Sequence, residues 1–287
     1  MKKVLIVGSQ SYIGSSFERY AHGRLDVSTI GSLNDEWRNY DFSVFDSVVY
    51  VAGIAHRKQT RNNKDLYFKV NRDLAVSVAQ KAKTDGTRQF VYFSSMAVYG
   101  MKSGEINECT VPAPRTDDHY GLSKHQAEEL LEPMQSDAFH VAIIRPPTVY
   151  GYGCKGNFPL LVRIVKAAPF LPTLRNKRSM IYIDNLSEFL ALIIEREAQG
   201  VYCPQNKEYV CTAIMMGEIA ISFGKTYRRL PLLNPFLHIL MPVSPPLKSA
   251  FGNLYYSLKK STLPFEQDYQ IVGFLESIKR SLEVNGL

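Results

Sequence analysis

Short runs of β-branched residues alternate with longer amphipathic segments through the first half of the chain. This alternation is typical of βαβ units, in which helices cover both faces of a parallel sheet. The pattern predicts an α/β protein with a doubly wound parallel sheet. Strands are predicted at 3–7, 27–30, 47–52, 89–94 and 139–144, and helices at 12–20, 65–84 and 119–134.

The alternation breaks down after Tyr150, where Gly, Pro and aromatic residues become frequent. The exception is a predicted strand at 180–183 followed by a helix at 184–197, with Asp184 as its N-cap. We therefore predict one domain over 1–150, to which a strand and a helix at about 180–204 return. A smaller C-terminal lobe is predicted from 151–179 and 205–287.

The net charge of the 287-residue chain is +7, from 34 Lys and Arg against 27 Asp and Glu. The excess lies in one segment, because 219–265 contains no acidic residue. Its six cations are Lys225, Arg228, Arg229, Lys248, Lys259 and Lys260. A nucleic-acid-binding domain is expected to be basic along a whole face or stripe. We therefore expect no nucleic-acid partner.

Four cysteines, at 109, 154, 203 and 211, form no CxxC pair and have no metal-ligand spacing. This usage predicts reduced thiols, no metal site and a cytoplasmic location. The longest apolar stretch, 230–247, contains five prolines, which a regular membrane-spanning helix would not accommodate. No transmembrane segment is predicted.

The first predicted strand ends in a glycine turn that leads directly into a helix. Gly8 and Gly14 frame the turn, and Ser11 stands where a three-glycine dinucleotide turn has its middle glycine. Backbone N–H groups and the dipole at such a helix start bind the pyrophosphate of a dinucleotide. Many α/β proteins have a glycine in this kind of turn, so taken alone it is equally compatible with a purely structural role.

A serine and a Tyr–Lys pair form the second candidate site. Ser95 follows a predicted strand at the carboxyl edge of the sheet, where ligands bind, and Tyr120 and Lys124 share one helix face. A nearby ammonium group favours the phenolate of a tyrosine and makes it a usable acid/base. A lone Tyr and Lys at this spacing is more often a packed ring and a solvated charge. Their occurrence together with the glycine turn and Ser95 favours catalysis.

The chain resembles the extended short-chain dehydrogenases/reductases of the NAD-dependent epimerase/dehydratase family, in the branch that acts on nucleotide sugars. The similarity runs from Met1 to about Tyr209 and rests on the segments 8–14, 51–53, 70–71, 94–100, 120–124, 145–151 and 178–184. It implies a Rossmann-type doubly wound parallel sheet with a smaller C-terminal substrate-binding lobe. The region 1–150 is then the dinucleotide-binding domain.

The resemblance also implies a role for each candidate residue. Tyr120 is expected to be the acid/base, Lys124 to lower its pKa and hold the nicotinamide ribose, and Ser95 to position the sugar hydroxyl. The implied cofactor-binding residues are Gly8, Ser11, Tyr12, Ile13, Gly14, Asp35, Ala52, Gly53, Asn71, Tyr120, Lys124 and Pro146. The implied substrate-binding residues are Ser95, Met96, Asn157 and Arg178, the last two as contacts to a diphosphate.

By the same resemblance the cofactor is NAD or NADP. The second strand runs into Ile-Gly-Ser-Leu at 30–33 and lacks the acidic residue that bonds the adenosine ribose and selects NAD. Arg57 and Lys58 could reach a 2′-phosphate, although charges in a loop are more often solvated. Asp35 could contact adenine, and NAD is slightly favoured.

Family dehydratases carry an acidic pair directly after the position of Ser95, where this chain has Met96 and Ala97. Because no group there can protonate a departing hydroxyl, 4,6-dehydration is not expected. The leading hypothesis is epimerisation at C4 of a UDP-hexose or UDP-N-acetylhexosamine through a 4-keto intermediate. One alternative is an NAD(P)H-dependent 4-ketoreductase of a keto-deoxy nucleotide sugar, and another is a non-catalytic nucleotide-binding sensor or assembly protein.

Two further contacts are expected. The resemblance implies a homodimer formed by the helix from Asp65 and the helix that carries Tyr120, although Leu66 and Val70 would equally pack on the chain's own sheet. The basic segment 219–265 is rich in apolar residues and could contact an anionic membrane surface, with a lipid-diphosphate-linked sugar as an alternative substrate. A lobe with a solvated basic face would explain the same segment.

Overall fold

The computed structural model describes residues 1–32, 35–55 and 59–282. The strands are β1 (Lys3–Val7), β2 (Asp26–Ile30), β3 (Ser47–Tyr50), β4 (Gln89–Phe93), β5 (Gly104–Ile106), β6 (His140–Ile144), β7 (Thr148–Tyr150), β8 (Phe170–Leu171), β9 (Met180–Tyr182), β10 (Gly200–Tyr202), β11 (Arg228–Arg229) and β12 (Leu254–Tyr256). The α-helices are α1 (Tyr12–Tyr20), α2 (Glu36–Asn39), α3 (Lys64–Phe68), α4 (Ala75–Asp85), α5 (His119–Leu131), α6 (Asn157–Ala167), α7 (Ile183–Glu195), α8 (Thr212–Ser222), α9 (Leu233–Leu240), α10 (Pro245–Phe251) and α11 (Phe274–Leu282).

Six parallel strands form the central sheet in the order β10-β6-β4-β3-β1-β2. Successive residues of β1 point to opposite faces of the sheet. Ile6 packs in a core with Phe17 of α1. Leu5 packs in a second core with Val78 of α4 and Ala127 of α5. Helices therefore cover both faces, and the predicted Rossmann-type doubly wound fold is confirmed.

The long helix predicted at 65–84 is one continuous helical run with an irregular middle. A π-helix at Lys69–Leu74 joins α3 to α4. Such wider turns are rare and are frequent at functional sites. The π-helix places Asn71 in the interior, where it is fully buried.

The strand predicted at 180–183 forms, but it does not join the central sheet. β9 pairs with β7 outside the central sheet, and the strand that joins the central sheet is β10, which pairs with β6. The prediction that Asp184 is the N-cap of α7 is wrong. β9 leads into the helix without a loop, so Tyr182 occupies the cap position in an extended conformation and the helix begins at Ile183. Asp184 lies in the first turn, where its charge complements the helix dipole.

The C-terminal part of the chain packs on the same core as the sheet. Met215 and Ile219 of α8 and Ile278 of α11 are buried in one cluster with Ile6. One small sheet attaches this part to the first 150 residues, since β12 pairs with β5, and a second small sheet joins β11 to β8. Within the described residues, every helix is too short or too polar to cross a bilayer. All four cysteines are free thiols.

Candidate active site

The glycine turn after β1 lies against the end of β3. Gly8 has φ +127°, and a Cβ atom added there would lie 2.8 Å from the backbone nitrogen of Ala52. Only glycine fits this conformation and this close approach. The structure therefore brings Gly8 and Ala52 together and leaves the backbone of the turn uncovered by side chains.

Ser11 has a specific task in the position of the missing middle glycine. It is the N-cap of α1, and its Oγ accepts a hydrogen bond from the N–H of Gly14 at 3.4 Å. A Cβ atom at Gly14 would lie 3.1 Å from side-chain atoms of Ile6 and Val51, so this glycine permits close packing of the helix on the sheet. The serine keeps the helix start in place, and the glycine keeps it close to the strands.

The start of α1 fits the pyrophosphate of a dinucleotide. Tyr12 and Ile13 form its first turn, where backbone N–H groups lack intrahelical partners and the dipole favours an anion. The side chain of Tyr12 points elsewhere, since a Cβ atom at Gly151 would lie 2.6 Å from its hydroxyl oxygen. The predicted contribution of Tyr12 and Ile13 to cofactor binding is therefore through the backbone.

Asp35 lies apart from the glycine turn. Its carboxylate is exposed at the start of α2 and pairs with Arg38 at 2.9 Å. The other residues considered for cofactor selectivity, Leu33, Arg57 and Lys58, lie outside the described residues. The proposed preference for NAD over NADP therefore still rests on the sequence.

Ser95 and Tyr120 meet at the carboxyl edge of the sheet. Asp118 caps α5 by accepting a hydrogen bond from the N–H of Gly121 at 3.2 Å, which places Tyr120 in the first turn. Burial raises the pKa of Tyr120, and the neighbouring Ser95 hydroxyl opposes that rise. Ser95 Oγ also accepts the N–H of Ala97 at 3.2 Å, which fixes its orientation.

Lys124 lies one helical turn beyond Tyr120 and is almost fully buried, with 4% exposure. Its Nζ donates to the carbonyl of Phe93 at 2.6 Å and lies 4.7 Å from the ring centroid of Tyr92. Burial lowers the pKa of Lys124 to about 7, against the opposing effect of Glu128. The lysine is thus poised to change its protonation state near neutral pH.

Asn71 connects the loop after β3 to helix α5. Its Oδ1 accepts the N–H of Ile54 at 2.8 Å, and its Nδ2 donates to Ser123 Oγ at 3.1 Å. A Cβ atom at Gly53 would lie 3.2 Å from Asn71 Oδ1 and 3.4 Å from Lys124 Nζ. Gly53, Asn71 and Lys124, which are all predicted to bind the cofactor, are therefore neighbours. Because Gly53 has no side chain, it leaves space beside the other two.

Met96 and Pro146 are also neighbours. The N–H of Met96 donates to the carbonyl of Pro146 at 3.0 Å, so the loops after β4 and β6 are joined at the edge of the sheet. The Met96 side chain is buried and has no ionisable group. The position that carries an acid in family dehydratases is thus closed by an apolar side chain.

Sequence reasoning missed a buried ion pair beside these residues. Glu128 of α5 accepts two hydrogen bonds from Arg145, at 2.9 and 2.8 Å, and Arg145 also donates to the hydroxyl of Tyr99 at 2.9 Å. The hydroxyl of Tyr256 in β12 donates to the carbonyl of Arg145 at 2.9 Å. One signal was available in the sequence, because Glu128 is four residues after Lys124 and so shares its helix face.

Asn157 and Arg178 share a second cleft, which also involves Ser249 and Ala250 of α10. Arg178 donates to the carbonyl of Gly252 at 3.2 Å. Burial lowers the pKa of Arg178 to about 10, and no carboxylate in the described part of the chain offsets this. A desolvated guanidinium without a carboxylate partner suits an anionic ligand such as a diphosphate.

The fold and the residues at the carboxyl edge of the sheet define a dinucleotide-dependent enzyme of the extended short-chain dehydrogenase/reductase type. The glycine turn and the first turn of α1 lie at the same sheet edge as Ser95, Tyr120 and Lys124. The model of the NAD dependent epimerase/dehydratase family matches residues 4–211. The chain belongs to this family, and the expectation of an NAD- or NADP-dependent enzyme is confirmed.

The relatives with known names include two 4-epimerases and one reductase, UDP-2-acetamido-2,6-beta-L-arabino-hexul-4-ose reductase of Pseudomonas aeruginosa. The chain is 30% identical over 263 residues to UDP-glucose 4-epimerase of Vibrio cholerae, covering 80% of this chain and 79% of that protein. It is 26% identical over 254 residues to N-acetyl-alpha-D-glucosaminyl-diphospho-ditrans,octacis-undecaprenol 4-epimerase of Escherichia coli O157:H7, covering 81% and 76%. The solved UDP-glucose 4-epimerase of Thermus thermophilus with NAD has the same fold, with a TM-score of 0.71, 21% identity and 97% coverage of both chains.

Proposed function

We propose that the protein is a 4-epimerase of a nucleotide-activated sugar, with a UDP-hexose or a UDP-N-acetylhexosamine as substrate. The observation that carries this proposal is the placement of Ser95 beside Tyr120, one helical turn before the buried Lys124, with Met96 at the position of a dehydratase acid. The names of the relatives from V. cholerae and E. coli O157:H7 support the choice of C4.

The chain's own groups would act as follows. A bound nicotinamide supplies hydride acceptance and return at the sugar carbon. Tyr120 Oη takes the proton of the C4 hydroxyl and later gives it back, while Ser95 donates a hydrogen bond to the same sugar oxygen. Protonated Lys124 stabilises the tyrosinate electrostatically. Gly8, the first turn of α1 and the loop at Gly53 hold the cofactor.

We propose that Arg178 and Asn157 grip the diphosphate of the substrate. A planar guanidinium forms paired hydrogen bonds with phosphate oxygens, and the Arg178 cleft holds no competing carboxylate among the described residues. This assignment makes 151–179 and 205–287 the substrate-binding lobe. The region 1–150, with the returning strand and helix, is then the cofactor-binding domain.

A lipid diphosphate is the second candidate for the group that carries the sugar. The relative from E. coli O157:H7 is named for an undecaprenol-linked sugar, and the grip of Arg178 would not distinguish the two kinds of diphosphate. Such a substrate requires peripheral contact with an anionic membrane surface, which we assign to 219–265.

A panel of sugars tests the proposal. Purified protein loaded with NAD or NADP is incubated with UDP-glucose, UDP-N-acetylglucosamine and their galacto isomers, and with a polyprenyl-diphosphate N-acetylhexosamine. Interconversion without net change in reduced nicotinamide is expected. Consumption of one reduced nicotinamide per turnover of a 4-keto sugar would instead establish a ketoreductase.

Tyr120→Phe is the diagnostic variant, and Tyr40→Phe is its matched control. Tyr40 is exposed and stacks on Phe45 far from the sheet edge. We expect Tyr120→Phe to fold and bind cofactor but to lose turnover, and Tyr40→Phe to be unchanged. Equal effects of both variants, with cofactor binding intact, would favour a non-catalytic nucleotide-binding protein.

We also propose a cytoplasmic homodimer. Leu66 of α3 and Leu130 of α5 are exposed on neighbouring helices, whereas Val70 and Val78 are buried against the chain's own core. The free thiols support a reducing compartment. Light scattering of the purified protein tests the dimer, and Leu66→Glu should convert it to a monomer.

A further inference from the structure

Helix α9 is apolar on both of its faces. Leu237 and the following Met241 face inward and pack against the core. The outward side carries five large apolar residues that are 47–76% exposed, here called the α9 apolar face: Leu232, Phe236, Ile239, Leu240 and Val243. A helix that is apolar all round is normally covered on every side, and a contiguous exposed patch of this kind marks an interaction surface.

Two acid-free stretches of the chain meet around the α9 apolar face. Neither 138–183 nor 219–265 contains Asp or Glu, and they carry seven and six Lys or Arg residues. The stretches are joined by the pairing of β11 with β8 and by a hydrogen bond from Lys225 Nζ to the carbonyl of Val165 at 2.6 Å. Asn234 of α9 also donates to Thr173 Oγ1 at 2.9 Å. Among these cations, Arg228 and Arg229 lie nearest to α9 in the sequence and are exposed.

Arg228 and Arg229 form β11, directly before the helix, and both are exposed. Neither forms an ion pair within the described residues. Apolar side chains flanked by unpaired basic residues are the pattern of helices that lie in the interface of a bilayer. A second copy of this lobe would bring like charges together, whereas an anionic surface complements them.

We propose that the α9 apolar face, with Arg228 and Arg229, docks on an anionic phospholipid bilayer. Phe236 and Ile239 enter the boundary between headgroups and acyl chains, and the two guanidinium groups contact lipid phosphates. The helix lies in the plane of the membrane surface and does not cross it.

Docking in this orientation also affects which substrate can reach the cleft, and this step of the argument rests on the proposed function. Helix α10 follows α9, and its Ser249 accepts a hydrogen bond from Asn157 at 3.1 Å and lines the Arg178 cleft. Because α10 has seven residues, this cleft lies within about 10 Å of the docked segment along the helix axis. Docking therefore presents the diphosphate grip to a sugar carried on a lipid diphosphate.

Vesicle co-sedimentation tests the docking. The full chain is mixed at low salt with vesicles of phosphatidylcholine alone or with an equal part of phosphatidylglycerol. Phe236→Glu/Ile239→Glu should reduce binding to the anionic vesicles at least about tenfold, because two buried apolar side chains are lost. Arg228→Gln/Arg229→Gln should reduce it about fivefold per charge and weaken its dependence on salt.

Matched controls separate these effects from general changes in surface and charge. Val111→Glu places an acid at an exposed valine in another part of the fold, and Lys102→Gln/Lys207→Gln removes two exposed charges elsewhere. Both controls should bind anionic vesicles like the parent. Thermal melting and turnover of a UDP-sugar should be unchanged in Phe236→Glu/Ile239→Glu.

Two outcomes would overturn the docking proposal, and a third would overturn only the proposed function. Equal recovery of parent and variants with anionic and neutral vesicles would exclude docking, whether or not the protein epimerises any sugar. A fall in oligomeric mass of Phe236→Glu/Ile239→Glu without vesicles would identify the face as a contact between copies of the chain. If vesicle binding holds but no sugar is converted, the docking surface stands and the proposed function fails.

Discussion

Glu128→Gln breaks the buried ion pair that joins helix α5 to the end of β6. In the parent, both carboxylate oxygens of Glu128 accept hydrogen bonds from Arg145, at 2.9 and 2.8 Å, and both side chains are at least nine-tenths buried. Removing one charge of such a pair leaves the other uncompensated and costs about 3–5 kcal/mol. We expect about 3 kcal/mol, because the Gln oxygen still accepts one of the two bonds.

Chemical and thermal unfolding measure this loss. A decrease of about 3 kcal/mol corresponds to a fall in Tm of roughly 6–12 °C for a chain of this size. Glu129→Gln is the matched control, since Glu129 is the next residue of α5, is 62% exposed and lies 3.7 Å from Nε2 of His125. It should cost at most about 1 kcal/mol.

The effect should also depend on pH in a defined direction. Burial would raise the pKa of Glu128, but the nearby His125 ring and the hydrogen bonds from Arg145 hold it below the ordinary value of 4.5. A group with a lowered pKa stabilises the folded state above its unfolded pKa and loses that contribution as the pH falls. The difference between parent and Glu128→Gln should be constant down to pH 4.5 and shrink below it. A variant no less stable than Glu129→Gln at neutral pH would refute this account of the pair.

Two other sites give predictions with internal controls. Gly8→Ala should abolish NAD binding in calorimetry, because φ is +127° and the new Cβ atom would lie 2.8 Å from the backbone nitrogen of Ala52. Gly23→Ala is the control: Gly23 has φ +79° and open space around it, so this variant should bind NAD normally. Equal NAD affinities of the two variants would contradict the role of Gly8 in the turn. Burial lowers the pKa of Lys124 from 10.5 to about 7. Between pH 7 and 10.5 the unfolded chain therefore binds more protons than the folded chain, and the free energy of unfolding increases with pH in this range. Lys124→Met should remove that contribution in urea unfolding, and identical pH slopes for parent and variant would show that the lysine is not desolvated.

The regular elements were predictable from sequence because their burial repeats along the chain. β1 alternates between two cores, and β3 and β4 are buried on both sides, so each produces a clear pattern. β10 has three residues, too few to show a period, and was found only through its pairing with β6. The π-helix at Lys69–Leu74 keeps the composition of an α-helix and could not be distinguished from one.

The candidate site was predictable where its residues are close in sequence or follow a strand directly. Tyr120 and Lys124 are one turn apart, and Ser95 ends a strand, so spacing alone placed them together. The pairing of Glu128 with Arg145 depends on how α5 packs against β6, which no local pattern encodes. The same holds for Asn71, whose contacts with Ile54 and Ser123 exist only in the folded chain.

Arg145 connects the site at Ser95 and Tyr120 with the cleft at Arg178. Its side chain fixes α5, which carries Tyr120 and Lys124, through Glu128. The backbone carbonyl of Arg145 accepts a hydrogen bond from the hydroxyl of Tyr256 in β12. Strand β12 is also bonded to the residue after Arg178, because the N–H of Ser179 donates to the carbonyl of Leu254 at 3.1 Å. The proposed diphosphate-binding residue Arg178 is thereby held in a fixed position relative to Tyr120, the proposed acid/base. An epimerase must present both faces of its keto sugar to one hydride donor, so the sugar has to turn while the diphosphate stays fixed. A rigid link between the grip and Tyr120 is what such a turn requires.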